Sequence, residues 1–170
     1  FIVPNVYPDE VLRKDNLKNG FENSNTLLFV GDFRYPPNID GIKWFAENIY
    51  PSFCSVYSDA KMLIVGRSPG PEIRYLEERW KGIEIYADVL DLCPYYELAR
   101  AVIVPILIGG GTRIKILEAA LAHRPIFSTP KGAEGLELVD GIHLHIFKND
   151  LEFLEKYNKI NDKLHYNTIT

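Results

Sequence analysis

The chain has 170 residues, of which 46% are apolar, and its formal net charge is -4. This length suits one domain with its own hydrophobic core, and no apolar run approaches the ~20 residues that cross a bilayer. The lysines and arginines are scattered, whereas nucleic-acid-binding domains concentrate positive charge on one face. We therefore expect no nucleic-acid partner.

The two cysteines, Cys54 and Cys93, form neither a CxxC pair nor a cluster with histidines at ligand spacing. We expect buried thiols in a reducing, cytoplasmic protein with no structural metal. The sequence opens at Phe1 in an apolar stretch, which predicts a piece of a longer protein or a processed end. A single domain over 1–170 is expected, with a polar linker at 13–25 and a tail at 161–170.

Short apolar runs alternate with helical patterns along the chain. The run at 26–30 is continuously apolar and ends at Gly31, which is typical of a strand buried on both faces of a parallel sheet. Apolar spacing then predicts a helix over 38–50 that Pro51 interrupts or ends. The same reading predicts strands over 62–65, 83–86, 101–105, 125–129 and 142–147, and helices over 71–80, 91–99, 112–122 and 150–160.

This alternation of strand, glycine-rich turn and helix predicts an α/β fold. The expected architecture is a Rossmann-like parallel sheet of about six strands with helices on both faces. Ligands of such sheets bind outside the carboxyl ends of the strands. The loops that follow the strands are therefore the candidate site.

The strongest motif is the run from Pro105 to Ala120. It places Gly109, Gly110 and Gly111 between a buried strand and a helix expected to begin near Thr112. Glycines let a backbone approach a ligand closely, and a helix N-terminus attracts anions. Arg113 and Lys115 put positive charge in the first helical turn, where acidic residues are otherwise preferred. The motif therefore predicts a phosphate site.

Glu118 lies about two turns into this helix, where its carboxylate is expected to accept hydrogen bonds from a ribose. The alternative is a surface pair between Lys115 and Glu118, which are three residues apart. The run is not a Walker A loop, because the GK[ST] ending is absent, and it is not a GxGxxG dinucleotide motif.

Taken in order, several motifs resemble the C-terminal domain of GT-B glycosyltransferases of family 4, also called group 1. The resemblance covers roughly residues 1–160. The matching segments are Gly31 with Pro37-Asn38, Val65-Gly66, Asp91-Leu92 with Tyr95-Tyr96, the Pro105–Ala120 run, and Pro125 through Leu136.

The resemblance implies a nucleoside-diphosphate sugar donor bound here, an acceptor bound by an N-terminal domain, and no essential metal or other cofactor. It assigns Glu118 to the ribose and the helix start at Gly111 and Thr112 to the diphosphate. Gly31 and Arg34 then belong to the first-strand loop, where the family often has a phosphate-binding arginine. Pro105 and the glycines after it would face the sugar.

Two positions depart from the family pattern. The family often has two glutamates eight positions apart in this motif. Glu118 matches the second of them, and Gly110 stands at the place of the first. A subgroup with a Gly-Gly-Gly-Thr-Arg-x-Lys pattern resembles this chain better, and there Arg113 and Lys115 would neutralise charge. The lysine common after the first-strand loop is absent, and Asn38 lies near its place.

Other polar residues follow the predicted strands. Arg67 is a candidate for phosphate or base contact or a solvated loop charge, and Glu134 for sugar binding or turn formation. The nucleotide base is expected near Asp88 and Asp91. For Asp91 the alternative is a role as the N-cap of the next helix. His143 and His145 are expected to share one solvated or helix-covered strand face, because their spacing alternates.

We expect sugar transfer in which Arg113 and Lys115 stabilise the leaving diphosphate. The expected setting is cell-surface polysaccharide or glycolipid synthesis. The acceptor would be a glycan or a lipid-linked molecule bound by the second domain. The full-length enzyme would lie in the cytoplasm, at the inner face of the membrane if it associates peripherally. The alternatives are a non-catalytic nucleotide-binding module and a dinucleotide-dependent oxidoreductase domain. The glycine-rich loop argues against the oxidoreductase, because it follows the fourth strand rather than the first.

Overall fold

The structure is a computed structural model that describes residues 24–110 and 113–161. Within these residues, strands and helices alternate as the sequence predicts. The strands are β1 (Thr26–Asp32), β2 (Lys61–Arg67), β3 (Ile83–Ala87), β4 (Ala101–Val104), β5 (Ile126–Ser128) and β6 (His145–Ile146). The helices are α1 (Pro36–Asn48), α2 (Tyr50–Val56), α3 (Pro71–Arg79), α4 (Cys93–Leu98), α5 (Ile114–Leu121), α6 (Pro130–Ala133) and α7 (Asp150–Asn161).

The strands form one six-stranded sheet in the order β3-β2-β1-β4-β5-β6. Every strand pairing in it is parallel. Strands β2 and β3 follow β1 on one side of the sheet, and β5 and β6 follow β4 on the other side. The topological switch point therefore lies between β1 and β4. The prediction of a Rossmann-like α/β sheet is confirmed.

The two faces of the sheet have different cores. The aromatic face lies under α1, α2, α3 and α7, and its buried rings include Phe45, Phe53, Phe127, Phe147, Phe153 and Tyr157. The aliphatic face lies under α4, α5 and α6, and is built mainly from Leu28, Val65, Val102, Val104, Ile116 and Ala119. Successive side chains of β1 point alternately to the two faces, and both faces are buried. This explains the continuously apolar sequence of β1.

The predicted helix over 38–50 is two helices. The first ends at Asn48, and Pro51 lies in the first turn of α2, where its missing N–H costs nothing. The sequence pattern also misses α6, whose N-cap Thr129 accepts a hydrogen bond from the N–H of Gly132 at 3.1 Å. The predicted strand over 142–147 shrinks to the two residues of β6.

The two histidines do not share a face, so that prediction is wrong. His143 is exposed in a turn, and its Nδ1 accepts a hydrogen bond from the N–H of Val139 at 2.9 Å. His145 is 3% exposed and stacks on Phe127, with ring centroids 4.8 Å apart. Strand alternation fails here because the strand begins only at His145.

Two other predictions concern the ends of elements. Helix α4 begins at Cys93 with Leu92 as its N-cap, and the carboxylate of Asp91 accepts a hydrogen bond from the N–H of Cys93 at 2.9 Å. Residues 13–23 of the predicted linker and 162–170 of the predicted tail lie outside the described residues. Asn161 is the last residue of α7 rather than part of a tail.

Candidate functional site

A cavity of about 350 Å³ opens at the carboxyl ends of β1 and β4, at the switch point of the sheet. Three loops surround it: those after β1, β4 and β5. Among the described residues it is lined by Tyr35, Asn38, Val104, Ile106, Gly110, Arg113, Ile114, Lys115 and Gly132.

The loop after β4 brings backbone close to the cavity. Gly109 has a φ of +103°, a conformation that other residues rarely adopt. A Cβ added to Gly110 would meet no atom within 4 Å, so this position is open. Both glycines therefore lie where the sequence motif placed them, whereas Gly111 and Thr112 lie outside the described residues.

Arg113 stands at the N-cap of α5, which begins at Ile114 rather than at Thr112. Its side chain is 10% exposed and lines the cavity. The Nε donates to the backbone carbonyl of Glu134 at 3.0 Å, and a terminal nitrogen lies 3.5 Å from the Glu134 carboxylate. These contacts fix the guanidinium in place beside the cavity.

Lys115 is half-buried in the cavity wall. Its Nζ lies 5.8 Å from the centroid of the Phe29 ring. Burial lowers the pKa of this ammonium, while the charges of Glu118 and Asp32 act in the opposite direction. Its charge is thus only partly compensated, which favours an anionic ligand.

Glu118 lies on the inward side of α5 and is 6% exposed. The hydroxyl of buried Tyr96 donates to its Oε2 at 3.4 Å. The alternative of a solvent-exposed pair between Lys115 and Glu118 is therefore wrong. A role for Glu118 on a ribose stays a prediction, since Glu118 is not among the described residues that line the cavity.

Arg34 and Arg67 are not brought to the cavity. Arg34 is 66% exposed and forms a bidentate ion pair with Asp32, whose hydrogen bonds to Arg34 lower the pKa of that carboxyl to about 2. Arg67 is exposed at the end of β2. Gly31 pairs with Gly66 in neighbouring strands, and a Cβ on Gly66 would lie 1.8 Å from the Gly31 carbonyl oxygen. Gly66 therefore has no room for a side chain, and Gly31 is not among the described residues that line the cavity.

The loop after β5 closes the third side. Thr129 donates its hydroxyl to the carbonyl of Ile106, which ties this loop to the loop after β4. Gly132 lines the cavity beside them. Glu134 is exposed and pairs with Lys131 and Arg113, and Lys131 holds the pKa of Glu134 below its usual value.

Sequence reasoning gave no role to the lining residue Tyr35, and it placed Asn38 only near the first-strand loop. Buried Asn38 donates its Nδ2 to the backbone carbonyl of Asp32 at 2.7 Å. Nothing in the sequence marks Tyr35, because its role depends on a loop 75 positions away.

Asp88 lies at the end of β3, with a φ of +53°. Its carboxylate accepts a hydrogen bond from the N–H of Ser68 at 3.0 Å and so joins the loops after β2 and β3. Within residues 24–110 and 113–161, no three His, Cys, Asp or Glu side chains are grouped for a metal ion. No helix in the same ranges is long and apolar enough to span a bilayer.

Comparisons with known proteins agree on one family. The family model described as "Glycosyl transferases group 1" matches residues 24–160. An uncharacterized 44.6 kDa protein in the cps region of Klebsiella pneumoniae is 30% identical over 137 residues, covering 75% of this chain and 34% of that protein. The chain therefore spans about a third of the length of this relative.

Solved structures share the fold at low identity. HepE of Anabaena, in complex with UDP-glucose, has a TM-score of 0.71 at 14% identity, covering 97% of this chain and 49% of HepE. The C-terminal domain of LpcC, a glycosyl transferase group 1 family protein from Francisella tularensis, has a TM-score of 0.67 at 14% identity, with coverages of 96% and 92%. A mutant of S. aureus TarM, in complex with Fondaparinux, alpha-GlcNAc-glycerol and UDP, has a TM-score of 0.68 at 14% identity, with coverages of 99% and 35%.

Proposed function

Since the chain belongs to the glycosyl transferases group 1 family, we propose that it binds a nucleoside-diphosphate sugar in the cavity between β1 and β4. One observation carries this proposal. Arg113 and Lys115 both line the cavity, and none of its described lining residues is acidic. A diphosphate would add negative charge beside these two cations, of which Arg113 already contacts the Glu134 carboxylate.

The same cations would act in catalysis. Burial of Lys115 penalises its charged form, and a bound diphosphate would offset that penalty. As the bond to the sugar breaks, negative charge grows on the leaving diphosphate. Fixed cations aimed at developing charge are among the largest contributions to catalysis. We propose transfer with retention of configuration and without a metal ion, with Arg113 and Lys115 in the electrostatic role.

The remaining donor contacts follow from the surrounding loops. The backbone at Gly109 and Gly110 would border the sugar, and Glu118 would reach the ribose after a small side-chain movement. UDP is the first nucleotide to test, because the similar structures of TarM and HepE hold UDP and UDP-glucose.

The acceptor is proposed to be a glycan or a lipid-linked sugar held outside this domain, so the isolated domain would bind donor without transferring it. Location of the Klebsiella relative in a cps region supports a role in surface polysaccharide synthesis. That setting would place the full-length enzyme in the cytoplasm, at the inner face of the membrane. A non-catalytic nucleotide-binding module is the second candidate, favoured by the open space at Gly110, which offers no side chain to a sugar.

Calorimetric titration of the chain with UDP, GDP, ADP and NAD tests the donor site. We expect saturable binding of one nucleoside diphosphate and at least tenfold weaker binding for Lys115→Met, because a hydrogen bond or ion pair to a charged group contributes about 1.5–3 kcal/mol. Lys81→Met is the matched control, since Lys81 is exposed beside the amino end of β3, at the opposite edge of the sheet.

Glu118→Gln separates the ribose contact from the phosphate contact. We expect it to weaken binding of the nucleoside diphosphate while leaving inorganic pyrophosphate binding unchanged. Tight binding of NAD alone would overturn the donor site. Turnover of a nucleotide sugar by the full-length enzyme would reject the non-catalytic candidate.

A further inference from the structure

Tyr35 joins two loops that border the cavity. Its hydroxyl donates to the backbone carbonyl of Gly110 at 3.0 Å, so a residue of the loop after β1 holds a residue of the loop after β4. The side chain also lines the cavity and is 41% exposed. It is therefore reachable by a ligand and is not part of either core.

Two further contacts show how closely α1 packs against the loop after β4. A Cβ added to Gly109 would lie 2.6 Å from the Tyr35 hydroxyl and 3.0 Å from Cγ of Pro37. A Cβ added to Gly41 would lie 2.4 Å from the Pro105 carbonyl oxygen. Both glycines are needed for this approach, and the Tyr35 hydroxyl adds a hydrogen bond at its cavity end.

We propose that Tyr35 is a positioning residue for the donor, a role that rests on the proposed function. The Gly110 carbonyl is a hydrogen-bond acceptor, and an acceptor facing the cavity would repel the oxygens of a diphosphate. Tyr35 keeps this carbonyl turned toward its own hydroxyl. The loop then presents Arg113 and Lys115 to the ligand without a competing negative dipole.

This role concerns the binding of the β-phosphate and the sugar of the donor, and not the binding of the nucleoside. Tyr35→Phe removes only the hydroxyl and leaves the ring in place. We expect about three- to tenfold weaker binding of the nucleotide sugar, the range for loss of one net hydrogen bond. Binding of the matching nucleoside monophosphate should be unchanged, because it lacks the β-phosphate and the sugar.

The experiment is calorimetric titration of the 170-residue chain and its Tyr35→Phe variant with UDP-glucose, GDP-mannose and ADP-glucose, and with UMP, GMP and AMP. Tyr75→Phe, on the exposed side of α3, is the matched control. Its affinities should equal those of the wild type. Thermal unfolding of both variants should show the wild-type midpoint within about 2 °C, as expected for exposed sites.

Each outcome has a distinct meaning. If the wild type binds no nucleotide sugar, the proposed function fails and the positioning role fails with it. If the wild type binds and Tyr35→Phe binds the sugar nucleotide equally well, only the positioning role is overturned. Equal weakening of monophosphate and sugar nucleotide would also overturn it, because that pattern indicates a general structural effect.

Discussion

The two faces of the sheet differ in what they bury. On the aromatic face, rings pack edge to face; Phe45 and Phe153 have centroids 5.2 Å apart at an interplanar angle of 81°, and Phe53 and Tyr157 are 4.8 Å apart at 84°. On the aliphatic face, the side chains are smaller and polar groups are buried among them: Glu118, Arg124, Ser128 and Thr129.

The difference shows how the domain divides its tasks. The aromatic face is covered by α1, α2, α3 and α7, of 13, 7, 9 and 12 residues, and large rings bury much apolar area. The aliphatic face is covered by α4, α5 and α6, of six, eight and four residues, and α5 and α6 contribute cavity-lining residues, as does the start of α1. Stability is therefore expected to reside mainly in the first face and ligand binding in the second.

The largest effect should come from the centre of the aromatic face. Phe153→Ala removes a fully buried ring that contacts five other aromatic residues. We expect the free energy of unfolding to fall by about 3–5 kcal/mol, measured by urea denaturation. Leu151→Ala on the same helix is the control, because Leu151 is exposed and should change stability little. A loss below about 1 kcal/mol for Phe153→Ala would contradict the division of tasks.

The same face should make stability depend on pH through His145. Burial lowers its pKa from 6.5 to about 4, with Lys156 and Lys159 acting in the same direction and Asp140 against it. Between those two pH values the unfolded chain binds a proton that the folded chain does not. Stability should therefore fall by on the order of 3 kcal/mol as pH drops from about 6.5 to 4, and should not change for this reason above pH 7.

Urea denaturation at several pH values checks this dependence. His145→Met should flatten the curve over that window, whereas His143→Gln should keep the wild-type slope because His143 is exposed. An unchanged slope in His145→Met would show that other groups cause the pH dependence.

A smaller loss is expected from overpacking beside the cavity, on the aliphatic face. In Gly132→Ala the new Cβ would lie 2.4 Å from Ser128 Oγ and 2.6 Å from the Val104 carbonyl oxygen. We expect about 1–3 kcal/mol of destabilisation by thermal or urea unfolding. Gly110→Ala, where the new Cβ meets open space, is the matched control and should stay within about 0.5 kcal/mol of the wild type.

The smallest effect on stability should come from the site itself. Lys115→Met replaces a half-buried cation by an apolar side chain of similar length. Since burial already penalises this charge, we expect the free energy of unfolding to change by less than about 1 kcal/mol while diphosphate binding weakens at least about tenfold. A loss of several kcal/mol would instead make Lys115 a structural residue.

The sequence by itself determined the parallel α/β sheet and the place of its phosphate motif. Apolar runs such as 26–30 are typical of a parallel sheet covered by helices on both faces, and Gly109 marks a close backbone approach by its residue type alone. Arg113 and Lys115 were recognisable because cations are unfavourable at a helix start unless a ligand offsets them.

Only the tertiary structure decided which charges face the cavity and which are already paired. Arg113 pairs with Glu134, Glu118 turns inward to Tyr96, and His145 is buried while His143 is exposed. Tyr35 meets Gly110 across 75 positions of sequence. The sequence pattern indicates how residues are spaced along one element. These ion pairs and hydrogen bonds depend on distances between elements, which are fixed only when the strands pair and both faces are packed.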